Sequence, residues 1–554
     1  MQKRWRLPEI DETLFRRLAE DTQCSAVLAK LLVRRGVKTS GDAAAFLDPK
    51  LLDLAEPDAL PNVDLAVDRI ERSLRDDESV AIFGDYDVDG VSSTCLLVDF
   101  FRLIGKEVRF RLPHRLSEGY GLREEAVREL VSDGVQLIIT VDNGSSAKGP
   151  IEVAKELGAD VVVIDHHQPA EDLPEPYAHV NPLLDTSGRC FRSYAGVGVA
   201  FQVVWALCQR LSKAKKISDE FRRFLVDSLG LVALGTIADV VPLVGENRIL
   251  AKYGLIALQN STRPGIRKLV DACLQSGRPT AVRRMEASHV GFRAGPRINA
   301  AGRLGSAGQA IELLSAESEE RAAELLEQLE SENERRRDLD ARILATARER
   351  VLNELDLSKD RAIVLGDADW HPGVVGIVAS RLVEEFYRPT LLFALEGDRS
   401  RGSARSIPGV NIFEAMSRCS HLFRKYGGHS QAAGAEIDSS RLPDLQRALS
   451  DAVELPIEEM VPEVEADCSI SLREVDASFL DDVKKLAPYG EGNPEPSFVA
   501  RDVEVVGQPR RMGKTGQHLS FFVREQGRAF RAVAFGKGDF VEQLEPRKAV
   551  SLLF

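Results

Sequence analysis

Residues 79–87 read SVAIFGDYD, residues 135–144 read VQLIITVDNG and residues 159–167 read ADVVVIDHH. Each is a short Val/Ile-rich run that ends on acidic or imidazole side chains. Between them stand helix-like stretches, VSSTCLLVDFFRLIG at 91–105, EEAVRELVSDG at 124–134 and PIEVAKELG at 150–158, while EVRFRL at 107–112 supplies another strand. Strands that are apolar throughout belong to a parallel sheet buried on both faces, and their alternation with helices specifies an α/β, doubly wound domain.

Outward from this segment the chain divides into five parts. Residues 1–50 read as a small helical piece ending in LDPK, and residues 51–315 as the α/β domain with its helical continuation. Residues 316–355 hold helix formers without Gly or Pro, which predicts one long helix serving as a spacer. Residues 356–456, opening on RAIVLGD and containing GGHSQAAG, read as a second, smaller α/β domain. Residues 457–554 carry short strands with Gly turns (SFVARDVEVVG, HLSFFVRE, AFRAVAFG), the pattern of an OB-type β-barrel. The run KAVSLLF stops in mid-strand, so the barrel is expected to be truncated or to end on an open edge. Alternation assigns about half of Phe521, Phe522, Phe530 and Phe535 to its core.

A chain of 554 residues with 44% hydrophobic side chains builds several cores, not one. No apolar run of about 18 residues appears, nor an apolar leader after MQKRWRLPEI, so the expectation is a cytoplasmic monomer with no membrane partner. Seven cysteines without a CxxC pair read as reduced core residues. The net charge of −13 does not exclude nucleic acid, because a ligand responds to local potential. Two segments concentrate positive charge. Arg283, Arg284, Arg293, Arg297 and Arg303 face only Glu286, and six basic residues from Arg399 to Lys425 face only Glu414.

The acidic constellation carries the chemistry. Asp85, Asp87 and Asp89 alternate in GDYDVDG directly after a strand. A calcium loop is excluded because Leu96 occupies the twelfth position, where that loop needs a bidentate Glu. Asp142 in VDNG and Asp165-His166-His167 also follow strands, and in an open α/β sheet the strand ends share one ligand crevice. Any one of these acids alone reads equally as a helix cap; the set of three does not. Asp239, in the apolar stretch GTIADVVPL, is costly to bury unless paired. Hard oxygen plus imidazole without thiolate suits Mn²⁺ or Mg²⁺, and this many acids can hold two divalent ions for in-line displacement at phosphorus.

In order, GDYDVDG, VDNG, DHH and GTIADVVPL resemble the four motifs of the DHH phosphoesterase family. Further segments, RLPHRLSEGYGL, GPRINAAGRLG, WHPGVVGIVASRL, GSARS, YGGHSQAAG and LAPYGEGNPEPSF, are similar to its branch of single-stranded-DNA exonucleases, and the likeness covers nearly the whole chain. Shorter members differ in carrying a histidine ahead of the Asp87/Asp89 pair, where this chain has Asp85. The resemblance implies metal ligands at Asp87, Asp89, Asp142, His166 and Asp239, with Asp142 bridging two ions and His167 meeting the scissile phosphate. It implies DHHA1-like substrate contacts at Gly427, Gly428 and His429, aided by Arg405. Arg115, Asn299 and Arg303 are weaker substrate candidates, and His371 either faces the cleft or caps the helix from about Val374. The implied activity is 5′-to-3′ hydrolysis of single-stranded DNA to mononucleotides in repair and recombination, with a single-strand-binding protein and a repair helicase as partners. Two rivals are a family phosphodiesterase for short oligonucleotides, cyclic dinucleotides or pyrophosphate and a DNA-binding scaffold without catalysis. The extra domains count against the first and the retained acids against the second.

Overall fold

The computed structural model describes residues 3–115, 117–212, 216–275 and 284–554. Arg283, in the first basic segment, lies outside the described residues. The chain forms two compact units. One comprises Leu51–Val461 with Gly490–Gly492, and the other takes the residues up to Lys50 together with Pro462–Tyr489 and Asn493–Phe554.

The first unit opens on a five-stranded, all-parallel sheet. Its strands are β1 (Val80–Phe83), β2 (Arg109–Arg111), β3 (Leu137–Val141), β4 (Asp160–Ile164) and β5 (Ala178–Val180), in spatial order β2-β1-β3-β4-β5. β1 and β3 are buried along their whole length, as their unbroken apolar sequences require. One face packs on α1 (Val88–Leu103), α2 (Gly196–Leu211) and α3 (Asp219–Ala238), which share a core with Ile82, Ile139 and Val162. Ala81, Phe83, Ile138 and Val163 point to the other face and meet the helices Glu124–Ser132 and Lys148–Glu156. The strand order reverses between β1 and β3, and that switch point opens the crevice above their carboxyl ends.

Helix α4 (Gly295–Leu304) follows a π-helical turn at Val290–Ala294. Helix α5 (Glu319–Glu354) is the expected long helix, 36 residues without a break. It belongs to two cores. Ala322, Leu325 and Leu329 pack with Ala301 and Leu313, while Ile343, Ala347 and Val351 pack with the next domain. That domain consists of β6 (Ile363–Asp367), α6 (Val375–Phe386), β7 (Thr390–Glu396), β8 (Arg399–Arg405), β9 (Phe423–Gly428) and β10 (Ala432–Asp438). Its sheet runs β9-β10-β8-β7-β6, with only β6 and β7 parallel.

In the second unit, strands Cys468–Ser469, Phe498–Met512, His518–Glu525, Arg528–Ala534 and Ala549–Leu553 form one five-stranded sheet. The apolar run at the end of the sequence is the strand Ala549–Leu553, hydrogen-bonded to Phe498–Met512. Phe521 is buried and Phe530 packs partly against the same core, whereas Phe522 and Phe535 are exposed, the division that alternation requires. Leu18, Leu28, Leu31 and Leu32 share a core with Ile470, Phe479 and Phe498, so the first fifty residues fold with the last hundred. All seven cysteines are free and six are buried. Among the described residues no helix is long and apolar enough to cross a membrane.

Candidate metal centre

Each acidic residue reaches the crevice for a local reason. Asp87 caps α1, and its Oδ1 accepts from the backbone N–H of Asp89 (3.0 Å) and of Gly90 (3.1 Å). Asp89 turns to the amino end of α2 and accepts from the N–H of Gly196 (2.6 Å) and Val197 (2.8 Å), where the helix dipole favours negative charge. Asp142 leaves β3 with φ +60°, a left-handed conformation that Asp and Asn tolerate better than most residues. Asp239 ends α3.

Two helices come this close because they lack side chains at the contact. A Cβ on Gly196 would lie 2.7 Å from Asp142 Oδ1, and one on Gly235 would lie 2.6 Å from Asp89 Oδ1. His166 Nε2 then faces Asp142 Oδ1 at 3.2 Å, Asp239 Oδ2 at 3.6 Å and Asp89 Oδ2 at 3.8 Å. Three groups of potential ligand atoms result, Asp142/His166/His167, Asp89/His166/Asp239 and Asp85/Asp87/Asp142.

Electrostatics decides what this cluster requires. Burial, then the charge of Asp87, raises Asp85 to about 8, and burial with Asp87 raises Asp239 to about 7. Burial and the neighbouring carboxylates push Asp89 and Asp142 well above the usual range. Two charges 4 Å apart repel by about 4 kcal/mol at an effective dielectric of about 20, too much to sustain several times over without compensation. Burial and the charge of His167 lower His166 to about 4, so its imidazole is neutral near pH 7. Asp85 Oδ1, Asp142 Oδ1 and His166 Nε2 are buried with no hydrogen-bond partner. Lone pairs turned toward one another in a buried site call for cations between them, and the donor set fits hard divalent ions.

His167 behaves differently from His166. Burial alone would lower its pKa, but the hydrogen bond and charge of Asp165 outweigh that and raise it to about 9. Its Nδ1 lies 2.9 Å from Asp165 Oδ1 and 3.1 Å from the hydroxyl of Tyr120. Asp165 is itself held by the N–H of Ser145 (2.9 Å), and its carboxyl stays below the usual range despite burial, because His167 and backbone donors stabilise the anion.

The substrate candidates fall in two places. Arg115 lies over the ring of Tyr86, 4.8 Å from its centroid. Arg303, on α4, donates to the carbonyl of Gly373 (3.0 Å); burial and the repulsion of Arg115, Arg336 and Arg405 bring it down to about 9. Arg405, at the end of β8, donates to Ser403 Oγ (3.0 Å) and the Ala404 carbonyl (2.7 Å). Among the described residues none of these four arginines has a carboxylate within salt-bridge distance. Arg297, by contrast, is paired with Glu330 (2.7 Å), and Arg293 donates to the Cys273 carbonyl. Asn299 is half-buried on α4. Gly427 and Gly428 are exposed at the end of β9, and the His429 N–H closes the turn onto Ala432 O at 2.8 Å. The carbonyl of His371 accepts from the N–H of Val374 and Val375, and its Nδ1 accepts from that of Gly373, so His371 holds the turn that leads into α6, beside the contact of Arg303.

Sequence reasoning did not single out Asp165 as the partner of His167, nor Tyr120, Ser403 or Arg336. Tyr120 was within reach, since it stands between two glycines in SEGYGL.

Comparison with known proteins agrees with this geometry. Residues 79–236 match the model of the DHH family, N-terminal domain, residues 359–455 that of the DHHA1 domain and residues 466–554 that of the RecJ OB domain. The single-stranded-DNA-specific exonuclease RecJ of Bacillus subtilis (strain 168) is 35% identical over 555 residues, covering 99% of this chain and 68% of that protein. RecJ of Dickeya dadantii (strain 3937) is 36% identical over 516 residues, covering 91% and 87%. The crystal structure of RecJ in complex with Mn²⁺ from Thermus thermophilus superposes with a TM-score of 0.82 at 32% identity, over 99% of this chain and 76% of that one. The chain belongs to the RecJ family of the DHH phosphoesterases.

Proposed function

We propose that this chain is a divalent-cation-dependent exonuclease that hydrolyses single-stranded DNA from its 5′ end to 5′-mononucleotides, in DNA repair and recombination. The observation that carries the reading is the juxtaposition of two unsatisfied clusters in one unit. Buried carboxylates and an imidazole call for cations, and Arg115, Arg303 and Arg405, close enough that the charge of Arg115 lowers the pKa of the other two and without a carboxylate within salt-bridge distance among the described residues, attract an anion. A phosphodiester chain end supplies what the second lacks and presents phosphorus to the first. A terminal phosphate carries more charge than an internal one, so a group of half-buried guanidiniums favours chain ends. Family membership supports the polarity.

In this reading Asp87, Asp89, Asp142, His166 and Asp239, with Asp85 beside them, would hold two ions, Mn²⁺ or Mg²⁺. When bound, the ions supply Lewis-acid stabilisation of phosphoryl charge and acidify water. His167, held by Asp165 through Nδ1, offers its other nitrogen to a phosphate oxygen and counters charge developing there. Residues 51–315 form the catalytic part, with the spacer at 316–355. Residues 356–456 bind the strand through Arg405, Gly427, Gly428 and His429, flanked by Asn299 and His371, and residues 457–554 guide it. A monomer in the cytoplasm, working with a single-strand-binding protein and a repair helicase, accords with the family.

Digestion of end-labelled single- and double-stranded oligonucleotides, with Mn²⁺ and with chelator, tests the proposal. The expected outcome is metal-dependent release of the 5′ label first, from single strands. Release of a 3′ label first, or cutting in chelator, would overturn it.

A further inference from the structure

The hydroxyl of Tyr120 sits between two groups at the centre of the site. It lies 3.1 Å from the backbone carbonyl of Asp142 and 3.1 Å from Nδ1 of His167. The phenol has one proton, and a carbonyl can only accept, so that proton goes to Asp142 O. The phenolic oxygen is then left as an acceptor for the Nδ1–H of His167. The Asp165 carboxylate, 2.9 Å from the same nitrogen, makes the same demand. Two acceptors on Nδ1 hold the ring by that nitrogen and leave Nε2 as the one presented outward.

The backbone is built to hold this arrangement. Gly119 and Gly121 flank Tyr120 with φ of +83° and +79°, conformations that L side chains rarely adopt, so the loop turns sharply on both sides of the tyrosine. The rings of Tyr120 and His167 are tilted against each other at a centroid distance of 5.4 Å. The hydroxyl thus touches both the strand end carrying Asp142 and the ring of His167.

On the reading of the site given above, we infer that Tyr120 is a positioning residue for this reaction: its hydroxyl locks the imidazole of His167 in place and ties it to the strand end that carries Asp142. With the hydroxyl gone, Asp165 alone still holds Nδ1, and a single hydrogen bond lets the ring rock. A misplacement of about 1 Å costs about a hundredfold in rate.

The test is Tyr120→Phe, which keeps the ring, together with His167→Ala and the double variant, assayed on a 5′-labelled single-stranded oligonucleotide with Mn²⁺. Tyr120→Phe is expected to lower kcat by about 10- to 100-fold, leaving KM and the affinity of the metal-free enzyme for Mn²⁺, measured by calorimetry, within twofold and the thermal midpoint at the parent's value. In the His167→Ala background the same change is expected to have less than a twofold effect on the residual rate. Wild-type kcat in Tyr120→Phe would overturn the inference, as would a further tenfold loss on top of His167→Ala or a loss confined to KM or Mn²⁺ affinity. If the unmodified enzyme does not cut the oligonucleotide, the proposed function fails and the calorimetry stands apart from it.

Discussion

Asp142 shows how a single residue is held in a state that the isolated protein disfavours. It is buried, left-handed at φ +60° and surrounded by Asp85, Asp87, Asp89 and Asp239, all of which raise its pKa. Asp142→Asn keeps the shape and tolerates the backbone angle but removes the charge. Activity is expected to fall by more than about a thousandfold, beyond the 10- to 100-fold typical of residues that only support a ligand. The metal-free variant should melt higher than its parent at pH 8, with the difference shrinking toward pH 6, where the parent's cluster is protonated; equal melting at pH 8 would sink the repulsion argument. The sequence made Asp142 legible because an acid directly after an apolar strand lands in the crevice whatever the rest of the chain does. The roles of Tyr120 and of Asp165 were not legible in the same way. They depend on which atom of His167 is turned toward them, and that is set by packing among loops.

At the level of elements, the centre exists because α2 and α3 approach the loop after β1 without side chains in the way. Gly235→Ala would ordinarily strengthen a helix by about 0.5–1 kcal/mol. Here the added methyl would lie 2.6 Å from Asp89 Oδ1 and 2.7 Å from Val197 Cγ1, and the clash dominates. Asp89 must rotate away from the N–H groups of α2. Mn²⁺ binding by calorimetry is expected to weaken by about 10- to 100-fold, while the helical circular-dichroism signal stays at the parent level. Unchanged Mn²⁺ binding would show that the close approach is incidental. The strands and the long helix were legible from periodicity and composition, since β1, β3 and α5 each carry one unambiguous pattern. The two-core attachment of α5 was not. Its buried residues, Leu325 and Leu329 at one end and Ile343 and Val351 at the other, serve different partners, and no single repeat records that.

For the whole molecule, the site makes metal-free stability depend on pH in a defined direction. Asp85 and Asp239, near 8 and 7 when folded, hold protons that the unfolded chain gives up near 4, and His167, near 9, holds one lost near 6.5 on unfolding. The folded state therefore binds more protons than the unfolded state between pH 6.5 and 8, and stability falls as pH rises through that window. His166 works in the opposite sense, but only below pH 6.5. The thermal midpoint of the metal-free protein should drop from pH 6.5 to 8, and saturating Mn²⁺ should flatten the slope; a midpoint that rises over this window would contradict the charge assignment. The other unit imposes a different constraint, one of timing. Ser25 Oγ donates to Asp482 Oδ2 across 457 positions, and Leu28 and Leu32 share a core with Ile470 and Phe498. During synthesis the first helices leave the ribosome with apolar faces whose C-terminal partners, Ile470, Phe479 and Phe498, appear only after residues 51–461 have been made. At about 5–20 residues per second this leaves those faces uncovered for roughly 20–80 s. A chaperone that shields the nascent amino terminus over that interval is thus expected to raise the yield of folded protein.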